Sequence, residues 1–516
     1  MDCSLLLIVS LGLVAVVLFL WWKGIVHHGR ILPPGPTSIS VLKDTLKALK
    51  EGNLHHLAEN WAKQYGDLVL CRTVIGDLCF LNSAHLVREV FDGKKTENVT
   101  NDRPSTFVGS YVYYNYSDVA FGGPARSRHW HKLRKLLHSA IKFYGDGVER
   151  LESALQAELA RLVQSVEARV EGSVSRDAIE KTCQLEMHSF YSRSLQRILT
   201  AVLTGEAPEH DCELPALLGQ FVEAADKGIT PTTDSALRLF PFLRFLPGSY
   251  YRQLCGNLQT LRDALISGLL DKAQATRVPG QPRGIVDVLL DEQKKEGNDW
   301  LNDDNIRGIL LNIVGGAYIT SLETLKTLFF FLVHNPGVAA NIQREIDHNI
   351  GQRQPGLADR ENLPYTEAAV LETLRLSSFV PLGAVHVATG EFTVNGMQIP
   401  KGSVLFQNLW VMNRDPNVWG DSENFRPERF LDDEGQLLSA LHPIRQSFLP
   451  FGVGKRSCPG EHFARSRVFL YVTTLLQKFD FLPPTDRKLL PWTRDSWTDA
   501  AVLQLKPYQL TVRQRS

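Results

Sequence analysis

No two cysteines in this chain stand in a CxxC pair, and their total is odd: Cys3, Cys71, Cys79, Cys183, Cys212, Cys255 and Cys458. That spacing excludes a disulfide framework and a zinc cluster, leaving any thiol chemistry to single residues. Charge of one sign is lacking too, because 56 Lys+Arg balance 56 Asp+Glu. Nothing in the bulk charge favours nucleic acid as a partner. Internal repeats, low-complexity tracts and long linkers are missing after residue 36. Although 516 residues would accommodate several domains, residues 37–516 therefore read as one large unit.

Charged residues are missing from Cys3 to Trp22, CSLLLIVSLGLVAVVLFLWW, and those 20 residues have the length of a helix crossing a ~30 Å hydrocarbon core. A cleaved signal peptide is the rival reading, but it calls for a basic start, a shorter apolar core and small residues at a cut site. Trp21 and Trp22 suit an interfacial belt, and Lys23, His27, His28 and Arg30 follow. The expectation is a membrane anchor over 1–30, single-pass, with the remainder in the cytoplasm. The sequons at Asn98 and Asn115 are then chance matches. Ile31 to Pro36, ILPPGP, reads as a stiff spacer.

What is present along the body is helical periodicity, over 144–205, 250–275, 303–350 and 460–480, with strand-like runs at 68–82 and 390–407. The fold class expected is mainly α with minor β. An aromatic-rich loop spans 101–123, NDRPSTFVGSYVYYNYSDVAFGG, and 206–248 reads as irregular. Either stretch suits a pocket wall or ordinary surface packing.

The segment Phe448 to Gly460, FLPFGVGKRSCPG, places Cys458 just ahead of a helical run from Glu461. A helix N-terminus favours thiolate, and glycines 452, 454 and 460 let the backbone wrap closely round a sulfur or a flat ligand. Phe451 can shield that sulfur, and Arg456 suits a carboxylate. A phosphate loop is excluded, since Lys455 is followed by Arg456 and Leu449 stands where the first glycine belongs.

Phe451, Gly454, Arg456, Cys458 and Gly460, with Gly452 between, resemble the cysteine loop FxxGxRxCxG of the cytochrome P450 family. The resemblance covers essentially the whole chain. Glu372 and Arg375 resemble its ExxR pair and Arg429 the third member of that network, while Trp130 and Arg134 resemble WxxxR. It implies the cytochrome P450 fold, haem b as cofactor, and Cys458 as the iron ligand. Trp130, Arg134, His386 and Arg456 would hold the propionates. DRENLPYTEA, LRLSSFVPLGAVH and NRDPNVWGDSENFRPERFLDDEG resemble the animal microsomal branch that contains steroid 17α-hydroxylases and polycyclic-aromatic oxidisers.

Leu311 to Leu325, LNIVGGAYITSLETL, sets two glycines inside a helix, at roughly 1 kcal/mol each relative to alanine. The resemblance implies that they leave room for dioxygen and substrate, with Thr320 and Ser321 relaying protons. Where the family has [AG]Gx[DE]TT, this chain has Ile319 in place of the acid, and Glu323 lies one turn on as a substitute or a structural residue.

The implied activity is monooxygenation of a lipophilic substrate, steroids among them, in the endoplasmic reticulum membrane. Only 58 residues follow Cys458, so electrons are expected from a separate NADPH-cytochrome P450 reductase, with cytochrome b5 as an optional second donor. Lys132, Lys135 and Lys455 are the expected docking cations. An isomerase or lyase acting on a peroxide, or a haem-binding protein with little turnover, are the other classes. NADPH dependence separates the first of these from a monooxygenase, and any turnover excludes the second.

Overall fold

A computed structural model describes residues 31–515 apart from 37–38, 52, 74–75, 143–148, 173–180, 229 and 499–501. The apolar run Cys3 to Trp22 lies outside the described residues. The chain divides into two compact units: Met1–Pro104 with Pro381–Met412 and Val453–Arg456, and Ser105–Val380 with Asn413–Gly452 and Ser457–Ser516.

The first unit is built on a four-stranded sheet in the order Leu68–Thr73, Gly76–Leu81, Val404–Gln407, His386–Val387. The first two strands, which fall on the strand-like run 68–82, pair antiparallel, and the second pairs parallel with the third. In that parallel register Phe80 lies opposite Phe406, and the two rings stack at 4.9 Å. Cys71 and Cys79 are wholly buried on these strands. Burial, with Asp77 adding to it, pushes both thiols up to about 12, so they stay protonated and serve as small packing groups.

The second unit is helical, organised round the 32-residue helix Asp303–His334. The Asn302 side chain accepts from Asn305 N at its start, and Asp303 and Asp304 complement the positive end of its dipole. Apolar residues occur all round it, so it is buried on nearly every side, packed by Met187–Thr204 and Glu461–Lys478. It is long and apolar enough to cross a membrane, but here the protein itself covers it. The helical pattern expected to run through 303–350 breaks after His334, because Pro336 cannot donate to the ladder and instead opens the helix Pro336–Asn349.

Two further expectations change. The stretch read as irregular, 206–248, carries the helices Leu214–Gly228 and Pro231–Leu239 and a short 3-10 turn, Pro241–Phe245. Pro215, Pro231 and Pro241 near the element starts read as breaks in the sequence, although proline suits the first turn of a helix. The run 144–205 is interrupted by the strand Thr182–Glu186, which pairs with Gln509–Gln514, itself paired with Phe479–Leu482.

Candidate functional site

The loop ahead of the helix Glu461–Lys478 closes on itself by one backbone bond, Cys458 N to Phe451 O at 2.8 Å. Gly452 and Gly454 take φ of +68° and +70°, conformations that side-chain-bearing residues avoid. At Gly454 a Cβ would stand 2.4 Å from Phe91 O, so glycine is required there for space as well. The loop presents Cys458 exposed while most of the chain's other cysteines are buried or half-buried. Its surroundings nonetheless desolvate the thiol and push its pKa up, against the Gly460 amide and Arg134, which favour thiolate. The helix-terminus donors expected from the sequence are thus present, and burial with the Glu461 carboxylate opposes them.

Arg134, on the helix Arg128–Lys142, reaches this loop: its Nη2 donates to Ser457 O at 2.7 Å and to Ser457 Oγ at 3.3 Å. Its guanidinium lies 5.7 Å from the Trp130 ring, whose Nε1 donates to Val119 O at 3.0 Å. Trp130, Arg134, Phe451 and Cys458 are thus assembled within the second unit.

His386 and Arg456 belong to the first unit, where they sit on consecutive carbonyls. His386 Nδ1 is 3.0 Å from Thr100 O, and Arg456 Nε donates to Asn101 O at 3.0 Å. Burial, with Arg103 and Arg456 nearby, drives the His386 pKa well below its ordinary value, so the ring is neutral. Nδ1 then carries the hydrogen toward Thr100, leaving Nε2 as an acceptor.

On the central helix, Gly316 is exposed and a Cβ there would meet nothing within 4 Å, while at Gly315 it would touch only the Tyr113 hydroxyl, at 3.2 Å. Thr320 Oγ1 donates back to Gly316 O at 2.7 Å, the bond expected from the sequence. Tyr318, bulky in the sequence, turns away: it is buried and its hydroxyl accepts from Gln196 Nε2 at 3.0 Å. Glu323 is fully buried, with Lys326 Nζ at 2.7 Å and Leu505 N at 2.9 Å. Both its oxygens are committed, so it is a structural residue and supplies no proton to the turn.

Glu372, Arg375 and Arg429 form the expected network, with Arg375 Nε 2.7 Å and Arg429 Nε 3.0 Å from Glu372. Arg375 also caps the carbonyls of Asn413 and Ser422. The sequence reading missed Arg467, which is wholly buried and donates through Nη2 to Ala317 O at 2.8 Å and to Ser321 Oγ. The signal was available: Phe463, Arg467 and Tyr471 recur every four residues on one apolar helix face.

A profile of the family described as Cytochrome P450 matches residues 33–512. Cytochrome P450 2J5 of Mus musculus is 29% identical, over 92% of this chain and 91% of its own length. The steroid 17-alpha-hydroxylase/17,20 lyase of Ictalurus punctatus is 28% identical over 95% and 93%. Among solved structures, a zebra fish cytochrome P450 determined with progesterone superposes at a TM-score of 0.74, with 26% identity, covering 89% of this chain and 99% of that one.

Proposed function

The chain belongs to the cytochrome P450 family, and from that premise we propose that it inserts one oxygen atom of O2 into a lipophilic substrate, a steroid or a molecule of similar polarity, using NADPH electrons from a separate reductase. It is an oxidoreductase whose cofactor is haem b. The haem, when bound, supplies the iron at which oxygen is activated.

The observation that carries the reading is the pairing of an exposed thiol, Cys458, with an adjacent cation, Arg134, in a unit whose central helix leaves free space beside Gly316. Those features suit a flat, anionic, iron-bearing group. Cys458 is the proposed metal ligand, with Phe451 covering the sulfur. Arg134, Trp130, Arg456 and His386 are the proposed propionate partners, and a carboxylate beside His386 would raise its pKa and draw a proton onto Nε2. Thr320 and Ser321 are the proposed proton-relay hydroxyls. Residues 37–516 form the proposed catalytic domain, held through the spacer 31–36 on a membrane anchor over 1–30 in the endoplasmic reticulum, which matches a substrate that partitions into bilayers.

The test is the spectrum of the reduced, carbon-monoxide-bound protein, expected at the red-shifted position of thiolate ligation, together with NADPH-dependent product from steroids, fatty acids or planar aromatics. Persistence of that band in Cys458→Ser would overturn the ligand assignment. One observation favours a second reading. Ile319 and the locked Glu323 leave this turn without a free carboxylate, which a peroxide isomerase would not need. Full turnover on organic hydroperoxide without NADPH would establish that reading instead.

A further inference from the structure

Arg467 is the buried charge that the reading above does not use. It has no exposed surface, its Nε and Nη1 make no hydrogen bond among the described residues, and neither of its two acceptors is a carboxylate. The guanidinium lies 4.9 Å from the Phe463 ring. Burial lowers its pKa to about 10, Tyr471 opposing, so it remains a cation at neutral pH. A buried cation with no counter-ion is among the costliest groups a core can hold, and two neutral hydrogen bonds do not offset it. Stability alone therefore gives no account of an arginine here.

The two acceptors explain it better. A serine inside a helix ordinarily donates its hydroxyl hydrogen to the carbonyl four residues back. Thr320 does so to Gly316 O and Thr324 to Thr320 O, each at 2.7 Å. Ser321 should do the same to Ala317 O, but Arg467 Nη2 donates to both of those oxygens. The guanidinium engages the carbonyl, and the Ser321 hydroxyl makes no donor bond among the described residues. Carbonyls 316 and 317 are thus each engaged by a side-chain donor, about 100° apart round the helix axis.

We propose that Arg467 is a positioning residue for proton delivery: it holds Ala317 O and Ser321 Oγ so that the serine hydroxyl is turned to serve as a hydrogen-bond donor to a water-borne proton path, offsetting the carboxylate that Ile319 replaces. The proposal rests on the monooxygenase reading for its chemistry, but its structural half is tested separately. The variants are Arg467→Met, Ser321→Ala and the pair together, in the full haem-loaded protein with reductase and NADPH. The readouts are product formed per NADPH, amide hydrogen exchange over 316–321, and Tm.

In Arg467→Met the serine should close back onto Ala317. Exchange over that turn should slow, product per NADPH should fall several-fold, and Tm should stay level or rise as an unpaired charge is removed. Adding Ser321→Ala should cause no further fall. Unchanged exchange and coupling, or a lower Tm with coupling intact, would overturn the proposal. Should Arg467→Met not fold, Ser321→Ala alone decides, since unaltered coupling there removes the hydroxyl from the pathway. Absence of NADPH-dependent product in the unmodified protein defeats the monooxygenase reading, while the exchange result still decides what Arg467 does to the helix.

Discussion

Ile319 is 7% exposed and lies between Tyr318, which turns into the core, and Thr320, whose hydroxyl is tied to Gly316. Under the monooxygenase reading, a side chain at that position is expected to bear on proton delivery beside Gly316. Ile319→Asp is expected to raise product per NADPH, and Thr320→Ala to lower it, with the rate of product formation falling by a factor within the ~10²–10⁴ typical of lost general-acid help. The gain from Ile319→Asp should be larger when Arg467 is already methionine, because the two devices would then no longer overlap. Measuring NADPH consumed, peroxide released and product in parallel checks both statements. A tightly coupled unmodified protein would refute the idea that Ile319 impairs delivery at all.

At the scale of elements, the second unit is pinned by charges its helices bring into the core. Glu372 satisfies two guanidinia at once, so Glu372→Gln leaves both under-compensated and should destabilise by about 3–5 kcal/mol, read as a large drop in Tm. Glu367 supplies a pH dependence. Burial would raise its pKa, but Arg360, with Arg465 assisting, holds it below the ordinary carboxylate value. The stability from that depression is fully present above the unfolded value of 4.5 and is lost as pH falls through the folded one. Glu367→Gln should therefore be less stable at neutral pH and show a shallower further loss in acid. Thermal melts across pH 3 to 7 test this, and equal slopes for both proteins would refute it.

Which elements could be read in advance follows from where their information lies. The cysteine loop and the Glu372 and Arg375 pair were legible because glycine, charge and spacing are local properties. The strand Thr182–Glu186 was not, because its partner Gln509–Gln514 lies at the other end of the unit's sequence and no local pattern names it. Arg467 was visible as a charge on an apolar stripe, but its acceptors belong to a different helix. The break at Pro336 needed only the rule that proline lacks a donor, which a periodicity scan does not weigh.

At the scale of the whole molecule, the balanced net charge leaves partner recognition to local patches. Lys132 and Lys135 are exposed, the former 5.0 Å from the Trp300 ring, whereas Lys455 is engaged by Glu97 at 3.5 Å and Asn98 at 3.0 Å. Docking of an acidic reductase should depend more on the first two. Reduction is expected to slow as salt rises, since exposed attraction is screened beyond ~10 Å at 0.1 M. Lys132→Glu with Lys135→Glu should slow it at low salt and flatten that dependence. Stopped-flow reduction over a salt series measures both, and a flat profile in the unmodified protein would refute the docking.

Leu505 gives its amide to Glu323 and its carbonyl to Lys326, each bond 2.9 Å long. During synthesis the ribosome therefore releases the central helix with its buried pair unfinished, and the residues that complete it emerge some 180 positions later. Until then Glu323 and Lys326 hold each other within the helix, but the second carboxylate oxygen and part of the ammonium are left to water. Completion of that pair therefore waits on a contact of high sequence separation, the kind that slows folding.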